Sequence, residues 1–332
     1  MATSKQAEAL APPPPVYIFR EHQTTVSYVQ LFDNDNFLVS SDGEGWIIIW
    51  KMKTRRPIMK WKAHKDNCIK VISINENTLI RQETQNQGRD NMIHIWKLPI
   101  LQEIHALTND PPELKNSIVY DGLGFCKLSC YNNEESVFLC FPSMDNMGSF
   151  DIYDLTYQRY VLRNIGQTDS GTHRLGSCMA VQLFRTSENL FVLAGYESGK
   201  VALWEIKDIG KIIWTQQAHT EPVLDLSIDH MKSFLMSSSA DNNICKYSLA
   251  TGDIIKKITI KKSGIVALKI RPDNKIFASG GYDGRIFSVK SMKPLAILAY
   301  HRDTIYSLDF SFNDNWLIGA SQDNRISLWN IY

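Results

Sequence analysis

One segment pattern recurs seven times along this chain. Each copy has two short apolar runs around a polar turn that usually contains an acidic residue, and it closes about six residues after that turn. The closing positions are 40 to 57 residues apart: Trp50, Trp96, Tyr153, Trp204, Tyr247, Val289 and Trp329. Repeats of this length are typical of propeller blades built from four strands. The pattern therefore favours a scaffold that binds partners over an enzyme.

Period-two alternation and β-branched or aromatic residues predict three strands, a, b and c, in each copy. In the last copy these strands are Ile305–Phe310, Trp316–Ala320 and Arg325–Trp329. Fourth strands d are predicted between copies, for example at Pro57–Trp61. We therefore predict an all-β fold, a seven-bladed β-propeller over residues 16–332, preceded by a disordered proline-rich segment at residues 1–15.

The seventh copy has no fourth strand after Trp329. A strand-like segment, Val16–Arg20, stands before the first copy and belongs to no blade of its own. Pairing of this segment with strand c of the seventh blade would close the ring and remove an exposed sheet edge. We therefore expect the N-terminal strand to close the propeller.

The third copy fits the pattern least well. It has apolar runs at Cys126–Cys130, Val137–Phe141 and Phe150–Tyr153, but it lacks the histidine and the acidic turn residue of the better copies. Six blades with an irregular insert at residues 98–165 are therefore an alternative to seven.

Histidines that precede strand a stand at regular distances from acidic turn residues. The separation is 22 residues in three copies and 26 in a fourth. Serines and closing aromatic residues complete a predicted polar network of His22, Ser40, Glu44, Trp50, His64, Asp90, Trp96, His219, Ser237, Asp241, His301, Asp323 and Trp329. Histidine, serine and acid also make up a hydrolase triad. Because near copies recur in four blades, we interpret them as structural networks that satisfy buried polar groups, and we predict no catalytic residue.

Partner contacts are expected on loops and on one rim of the ring. Two insertions, Thr108–Gly122 and Asn164–Ser177, are candidate functional loops, with simple surface disorder as the alternative. Turn residues next to the acidic positions should line one rim, and the candidates for partner binding are Arg89, Glu197, Tyr282 and Gln322.

No cofactor and no metal are predicted. The segment GYESGKV at residues 195–201 resembles a phosphate-binding loop, but it is one residue short between its glycines and leads into a strand. The six cysteines mostly lie in apolar runs and are expected to be buried thiols. Cys126 and Cys130 have no second pair at zinc-binding spacing.

Charge and hydropathy restrict the classes of partner. The chain of 332 residues has a net charge of +1, which offers no electrostatic case for direct nucleic-acid binding. No apolar run approaches the length of a membrane helix, so no membrane association is expected. Residues 1–15 lack the apolar core of a secretory signal, and we expect an intracellular protein.

The repeat length and the polar networks resemble the WD40 repeat over residues 16–332, although the glycine before each histidine and the Trp-Asp dipeptide are replaced. More specific motifs are spread over most blades. They are QGRD at 87–90, GFC at 124–126, LAGYESG at 193–199, MKPLAILAYH at 292–301 and DNRISLW at 323–329. With the proline-rich start, these motifs are similar to the ASTRA-associated protein 1 family, whose animal counterpart is the G-protein-β-subunit-like protein 1.

The resemblance implies a non-catalytic scaffold subunit of the ASTRA complex. It implies work with the triple-T co-chaperone in the maturation of phosphatidylinositol-3-kinase-related kinases, and a link to chromatin regulation. The implied partners are triple-T and ASTRA subunits and those kinases, bound by a monomer within a hetero-complex. A nuclear location is implied, with an additional cytoplasmic pool left open.

Three other functions stay open at this point. A reader of histone tails or other modified peptides would use the central mouth of the ring. A Gβ-like signalling subunit would need an N-terminal coiled coil, and the start of this chain has no heptads. A propeller hydrolase would need one unique nucleophile and base, whereas this chain repeats its polar set.

Overall fold

A computed structural model describes residues 14–63, 67–75, 78–83, 92–120, 126–133, 135–166, 175–186, 189–207, 210–261 and 264–331. Within these ranges the chain forms seven antiparallel sheets of four strands each. Each sheet is one blade, and the first strands of six of the seven neighbouring pairs, all except blades 2 and 3, contact each other extensively. The predicted disordered segment at residues 1–15 falls mostly outside the described residues and stays a prediction.

The strands are short, as expected for blades. In chain order they are β1 (Tyr17–Phe19), β2 (Val26–Phe32), β3 (Phe37–Asp42), β4 (Trp46–Lys51), β5 (Arg56–Lys62), β6 (Cys68–Asn75), β7 (Thr78–Glu83), β8 (Met92–Lys97), β9 (Glu113–Val119), β10 (Ser129–Asn132), β11 (Val137–Pro142), β12 (Phe150–Asp154), β13 (Arg159–Ile165), β14 (Cys178–Arg185), β15 (Leu190–Tyr196), β16 (Lys200–Ile206), β17 (Lys211–Gln217), β18 (Val223–Ile228), β19 (Phe234–Ser239), β20 (Asn243–Ser248), β21 (Ile254–Thr259), β22 (Ala267–Ile270), β23 (Ile276–Gly280), β24 (Gly284–Ser288), β25 (Pro294–Leu298), β26 (Ile305–Phe310), β27 (Trp316–Ser321) and β28 (Ile326–Asn330). A 3-10 turn spans Leu101–Glu103. No helix in the described ranges is long and apolar enough to cross a membrane.

Blades 1 to 6 each use four consecutive strands, from β2–β5 to β22–β25, in the order a, b, c, d from the centre outward. Blade 7 uses β26, β27 and β28, and its outer strand is β1. Tyr17 pairs with Leu328 and Phe19 pairs with Ile326. The Phe19 ring also packs edge-on against Trp50 of blade 1, with ring centroids 5.0 Å apart. The prediction of a seven-bladed propeller closed by its N-terminal strand is confirmed.

Blade 3 is a regular four-stranded sheet, β10 to β13. The alternative of six blades with an irregular insert is therefore wrong. One predicted loop is also wrong, because part of the Thr108–Gly122 insertion is β9, the outer strand of blade 2. Thr108 itself pairs with the edge of blade 1, where Lys60 N donates to its carbonyl oxygen at 2.9 Å. Most of the second insertion lies outside the described residues.

Position in the blade decides how the strands are buried. Middle strands such as β3 and β19 are buried at every residue because neighbouring blades cover both faces. The outer strand β17 alternates exposed and half-buried residues because one face meets solvent. Core clusters join neighbouring blades, as where Leu193 of blade 4 packs with Leu235 of blade 5. Full burial of one such side chain contributes about 1.5–3 kcal/mol.

Side chains of neighbouring blades hold the innermost strands together. Asp225 Oδ2 accepts a hydrogen bond from Leu268 N at 2.8 Å, and Asp309 Oδ2 accepts one from Leu31 N at 2.9 Å. Ser129 makes an equivalent bond to blade 4. Strand a has one unpaired edge, and its N–H groups would otherwise lack partners. Polar side chains therefore stand at the centre of the ring, where the channel runs.

Candidate protein-interaction site

Blade 5 contains a complete buried polar network. His219 Nδ1 lies 3.0 Å from Asp241 Oδ1, and His219 Nε2 lies 2.7 Å from Ser237 Oγ. The Tyr247 hydroxyl is 2.5 Å from the same Ser237 oxygen. The histidine comes from the d–a loop, the serine from β19, the acid from the b–c turn and the tyrosine from β20. The network thus connects both ends of the b–c hairpin to the preceding loop.

Electrostatics define the direction of each bond in this network. Burial lowers the pKa of His219, so its ring is neutral at pH 7 and Nδ1–H donates to Asp241. Burial raises the pKa of Asp241, but hydrogen bonds from Asn243 and His219 outweigh burial and leave the pKa below its ordinary value. Nε2 therefore accepts from Ser237, and Tyr247 donates to the serine. Ser237 is fully buried, so its hydroxyl cannot reach a substrate.

The network of blade 1 uses a different acid from the one predicted. His22 Nδ1 lies 2.7 Å from Asp42 Oδ2, whereas the Glu44 side chain is exposed and only its backbone N–H donates to Asp42. The assignment of Glu44 as the partner of His22 is therefore wrong. The 22-residue spacing misled because Asp42, at the end of β3, is 20 residues after His22, two fewer than the separation in blades 5 and 7. His22 Nε2 and Trp50 Nε1 both meet Ser40 Oγ, at 2.7 and 2.9 Å.

Blade 7 assembles the same bonds with a serine that the sequence analysis missed. His301 Nδ1 lies 3.0 Å from Asp323 Oδ2, and His301 Nε2 lies 2.7 Å from Ser327 Oγ. Trp329 Nε1 donates to Ser327 Oγ at 2.7 Å. Ser327 lies on strand c opposite Gly319, which occupies the strand-b position of Ser40 and Ser237. The sequence could have identified this serine by its position two residues before the closing tryptophan.

The remaining predicted network residues belong to blade 2. His64 and Asp90 lie outside the described residues, as does the rim candidate Arg89. Trp96 is buried and packs edge-on against Trp61 of blade 1, with ring centroids 6.3 Å apart. In blade 4 the indole of Trp204 donates to the Tyr196 hydroxyl at 3.0 Å. The indole N–H of blade 4 therefore has a hydrogen-bond partner although this blade has no histidine network.

The other rim candidates lie in b–c turns. Glu197 is exposed, and its Oε2 accepts hydrogen bonds from the N–H and the hydroxyl of Ser177, which lower the pKa of the glutamate. Tyr282 is 64% exposed, the most accessible tyrosine of this rim. Gln322 Oε1 lies 3.3 Å from the Tyr306 hydroxyl. Gln322 therefore contacts Tyr306, whereas Glu197 holds the Ser177 loop.

Tyr306 belongs to the mouth of the central channel on this rim. The mouth has a volume of about 520 Å³. Its walls include Ile69, Leu224, Val266 and Tyr306, with Lys127 at the inner end. We call this space the channel mouth.

Farther along the first strands lies a smaller cavity of about 170 Å³, which we call the channel cavity. Its walls include Lys70, Lys127, Lys269 and Asp225, together with Tyr28. The candidate site of the propeller is therefore an apolar mouth above a charged cavity.

Comparison with known proteins supports the same fold and places the chain in a family. The family model described as ASTRA-associated protein 1 matches residues 15–304. The chain belongs to that family. A model described as WD domain, G-beta repeat, matches residues 292–330. The family resemblance seen in the sequence motifs is confirmed.

Relatives of this ASTRA-associated protein 1 family member align over nearly their whole length. ASTRA-associated protein 1 of Schizosaccharomyces pombe is 30% identical, with 96% of this chain and 99% of the relative covered. Guanine nucleotide-binding protein subunit beta-like protein 1 of Mus musculus is 30% identical, with 98% of each chain covered. ASTRA-associated protein 1 of Aspergillus niger is 26% identical, with 99% and 100% covered.

The cysteines of this family member form no disulfide within the described residues. All six cysteines are free thiols, and five of them are buried. Burial raises the pKa of the half-buried Cys130 to about 12, so this thiol is unreactive at neutral pH. No group of three or more metal-binding side chains was found among the described residues. The GYESGKV segment forms the β15–β16 hairpin and so has no helix end to bind phosphate.

Proposed function

We propose that this protein is a non-catalytic scaffold subunit of the ASTRA complex. One observation carries the proposal: the family match over residues 15–304, with relatives named ASTRA-associated protein 1 aligned over almost their full length. Two of these relatives carry that name, and the third is named for its likeness to a G-protein β subunit. The proposal transfers the association in those names to this chain.

The geometry supports a scaffold role. The ring is closed by β1, so it offers rigid rims and turns rather than a movable cleft. The serines of the three described histidine networks are buried at Ser40, Ser237 and Ser327, and each is bonded to a histidine within 2.7 Å. A buried, fully bonded hydroxyl is unsuited to nucleophilic catalysis. This observation weighs against the hydrolase alternative.

We further propose, from the family resemblance, that the protein acts with the triple-T co-chaperone in the maturation of phosphatidylinositol-3-kinase-related kinases. The same resemblance supports a nuclear location and a link to chromatin regulation. A reader of cationic histone tails is a weaker proposal, since Lys70, Lys127 and Lys269 line the channel cavity and would repel lysine or arginine side chains.

Affinity purification of the tagged protein at its native expression level, followed by quantitative mass spectrometry, tests this function. The expected result is near-stoichiometric ASTRA and triple-T subunits, with the large kinases in smaller amounts. Recovery of histones or small Gγ-like proteins without those subunits would reject the proposal. Fluorescence imaging of the same tagged protein tests the nuclear location.

A pair of variants identifies the rim that is used. Tyr282→Ala combined with Gln322→Arg alters the b–c rim, and Met231→Ala combined with Phe312→Ala alters the opposite rim. Met231 and Phe312 are 76% and 75% exposed, so neither replacement should disturb the core. Loss of ASTRA subunits with the first pair and retention with the second would locate the interface at the channel mouth. The reverse result would locate it on the a–b rim.

A further inference from the structure

The channel cavity collects charged groups from five blades. Lys70 of blade 2, Lys127 of blade 3 and Lys269 of blade 6 face the space, together with Asp225 of blade 5. Asp309 of blade 7 joins them through an ion pair with Lys269, whose Nζ is 3.0 Å from Asp309 Oδ1. These residues are far apart in the chain and meet only because the blades close into a ring.

Both carboxylates already have partners. Asp225 accepts hydrogen bonds from Leu226 N at 2.9 Å and Leu268 N at 2.8 Å. Asp309 accepts from Leu31 N at 2.9 Å and also holds Lys269. These bonds between blades explain why two acids stand in the channel. The acids therefore have structural roles, and Asp225 also interacts electrostatically with Lys127 and Lys70.

The lysines are less well satisfied. Lys127 Nζ donates to the carbonyl oxygen of Tyr306 at 2.9 Å. Lys70 Nζ lies above the Tyr28 ring, 5.7 Å from its centroid, and no carboxylate within the described part of the chain is within ion-pairing distance of it. Burial and the neighbouring charge of Lys127 lower the pKa of Lys70 to about 8. Asp225 offsets part of this lowering, and the ammonium group has no direct ion-pair partner among the described residues.

The charge balance indicates which anion fits. Three ammonium groups face two carboxylates, and Tyr28 and Cys130 are neutral because burial raises the pKa of each. One positive charge is therefore unbalanced among the described groups. A carboxylate would neutralise it, whereas a phosphate dianion would reverse the sign of the charge in a confined space.

We propose that the channel cavity binds the carboxylate of one acidic side chain from a partner segment, between Lys70 and Lys127. The segment enters through the channel mouth, where Ile69, Leu224 and Val266 contact apolar residues beside the acidic one. The cavity volume of about 170 Å³ accommodates one side chain but not a folded element. The partner is thus a loop or terminus with an Asp or Glu between apolar residues.

This inference rests on the proposed function only in that the ligand belongs to a protein partner. The test uses synthetic fluorescent peptides of sequence Gly-Ser-Ile-X-Val-Ser-Gly, where X is Glu, Gln, Lys or phosphoserine. Fluorescence anisotropy with the full-length protein gives the affinity of each peptide. The Glu peptide is expected to bind at least about tenfold more tightly than the Gln peptide, since a carboxylate forms charge-assisted bonds with the ammonium groups and an amide does not. The Lys peptide should not bind.

Matched variants identify the cavity. Lys70→Met and Lys127→Met should each weaken binding of the Glu peptide about tenfold, whereas Lys211→Met on the exposed face of β17 should leave it unchanged. Thermal unfolding verifies that each variant is folded. Binding to the unmodified protein should also weaken as pH rises from 7 to 9, because Lys70 loses its proton near pH 8. The Lys70→Met variant should show a smaller pH dependence, since only Lys127, whose pKa burial also lowers, then titrates in the cavity.

Three results would overturn the inference. Equal binding of the Glu and Gln peptides would show that no charge is recognised. Unchanged binding by both lysine variants would place the contact elsewhere, and tighter binding of the phosphoserine peptide would assign the cavity to phosphate. Purification of the Lys70→Met variant separates this inference from the proposed function. If this variant loses peptide binding but retains the ASTRA subunits, the cavity is not the contact for those subunits, and the proposed function is unaffected.

Discussion

Blades 3 and 5 have the same four-stranded topology but opposite interiors. At one equivalent position of strand b, blade 5 has Ser237, paired with Cys245 two residues before the closing Tyr247. Blade 3 has Phe141 there, paired with Asp151 two residues before the closing Tyr153. A hydroxyl that bonds histidine and tyrosine in one blade is replaced by a fully buried aromatic ring in the other.

Aromatic contacts fill the interior of blade 3. The Phe141 ring meets Tyr120 edge-on at 5.9 Å and Tyr160 at 6.4 Å, and Tyr153 meets Tyr160 at 5.1 Å. Such pairs add about 0.5–1.5 kcal/mol each beyond burial. The blade fold therefore depends on its apolar strands. The polar network is one of two ways to fill the same space, and its absence explains why blade 3 looked irregular in the sequence.

The largest expected effect comes from removal of one buried aromatic ring from the interior of blade 3. Phe141→Ala should lower the free energy of unfolding by about 3–5 kcal/mol, because a large buried ring is replaced by a cavity. Chemical denaturation measures this loss. Phe312→Ala, at a residue 75% exposed, is the matched control and should change stability by less than about 0.5 kcal/mol. A loss below about 1 kcal/mol for Phe141→Ala would contradict the assigned role.

A smaller loss is expected in the polar interior. Ser237→Ala leaves His219 Nε2 and the Tyr247 hydroxyl without their buried partner, at a cost of about 1–3 kcal/mol. Ser238→Ala is the control, since Ser238 is buried but its Oγ has no hydrogen-bond partner within the described structure. Denaturation should show little or no loss for the control. Equal losses for both serines would indicate a packing effect instead of a network.

Low pH is expected to destabilise blade 5 more than blade 3. Burial lowers the pKa of His219, so the unfolded chain takes up a proton before the folded chain does, and stability falls as pH drops below about 6.5. The lowered pKa of Asp241 adds stability above about pH 4 that is lost as pH falls through the folded value. Hydrogen exchange between pH 7 and 5 should therefore show opening of blade 5 before blade 3. His219→Gln should abolish the difference in that interval, and a persistent difference would refute the histidine as its cause.

The smallest effect is expected when the network serine of blade 7 is moved from strand c to strand b, where blade 5 has its serine. Ser327→Ala alone should cost about 1–3 kcal/mol because His301 and Trp329 lose their shared partner. Adding Gly319→Ser should restore stability to within about 1 kcal/mol of the unmodified protein. A Cβ at Gly319 would lie 3.3 Å from the Ser327 oxygen that the first change removes, so the site has room. A double variant no more stable than Ser327→Ala would show that strand c must supply the hydroxyl in this blade.

Much of the fold was predictable because it depends on local periodicity. Alternation located the strands of blade 7, and the unassigned Val16–Arg20 segment predicted the closing strand. Outer strands such as Pro57–Trp61 are predicted correctly, but β9 lies in a segment for which the sequence predicts a loop. Its sequence, ELKNSIV, is largely exposed in the blade and carries little apolar signal. The acid of blade 1 was misassigned because spacing counts residues and cannot show that Asp42, at the end of β3, points to His22.

The sequence by itself determined that this chain is a closed propeller of the ASTRA-associated protein 1 family, since blade length, strand alternation and family motifs are local features of the chain. The structure decided that blade 3 is the regular seventh member of the ring. Only the tertiary structure decided which polar groups meet. Lys70, Lys127 and Lys269 are separated by 57 and 142 residues, and no local pattern relates them. They share one cavity because ring closure brings the first strand of every blade to a common axis, where charges from distant repeats interact.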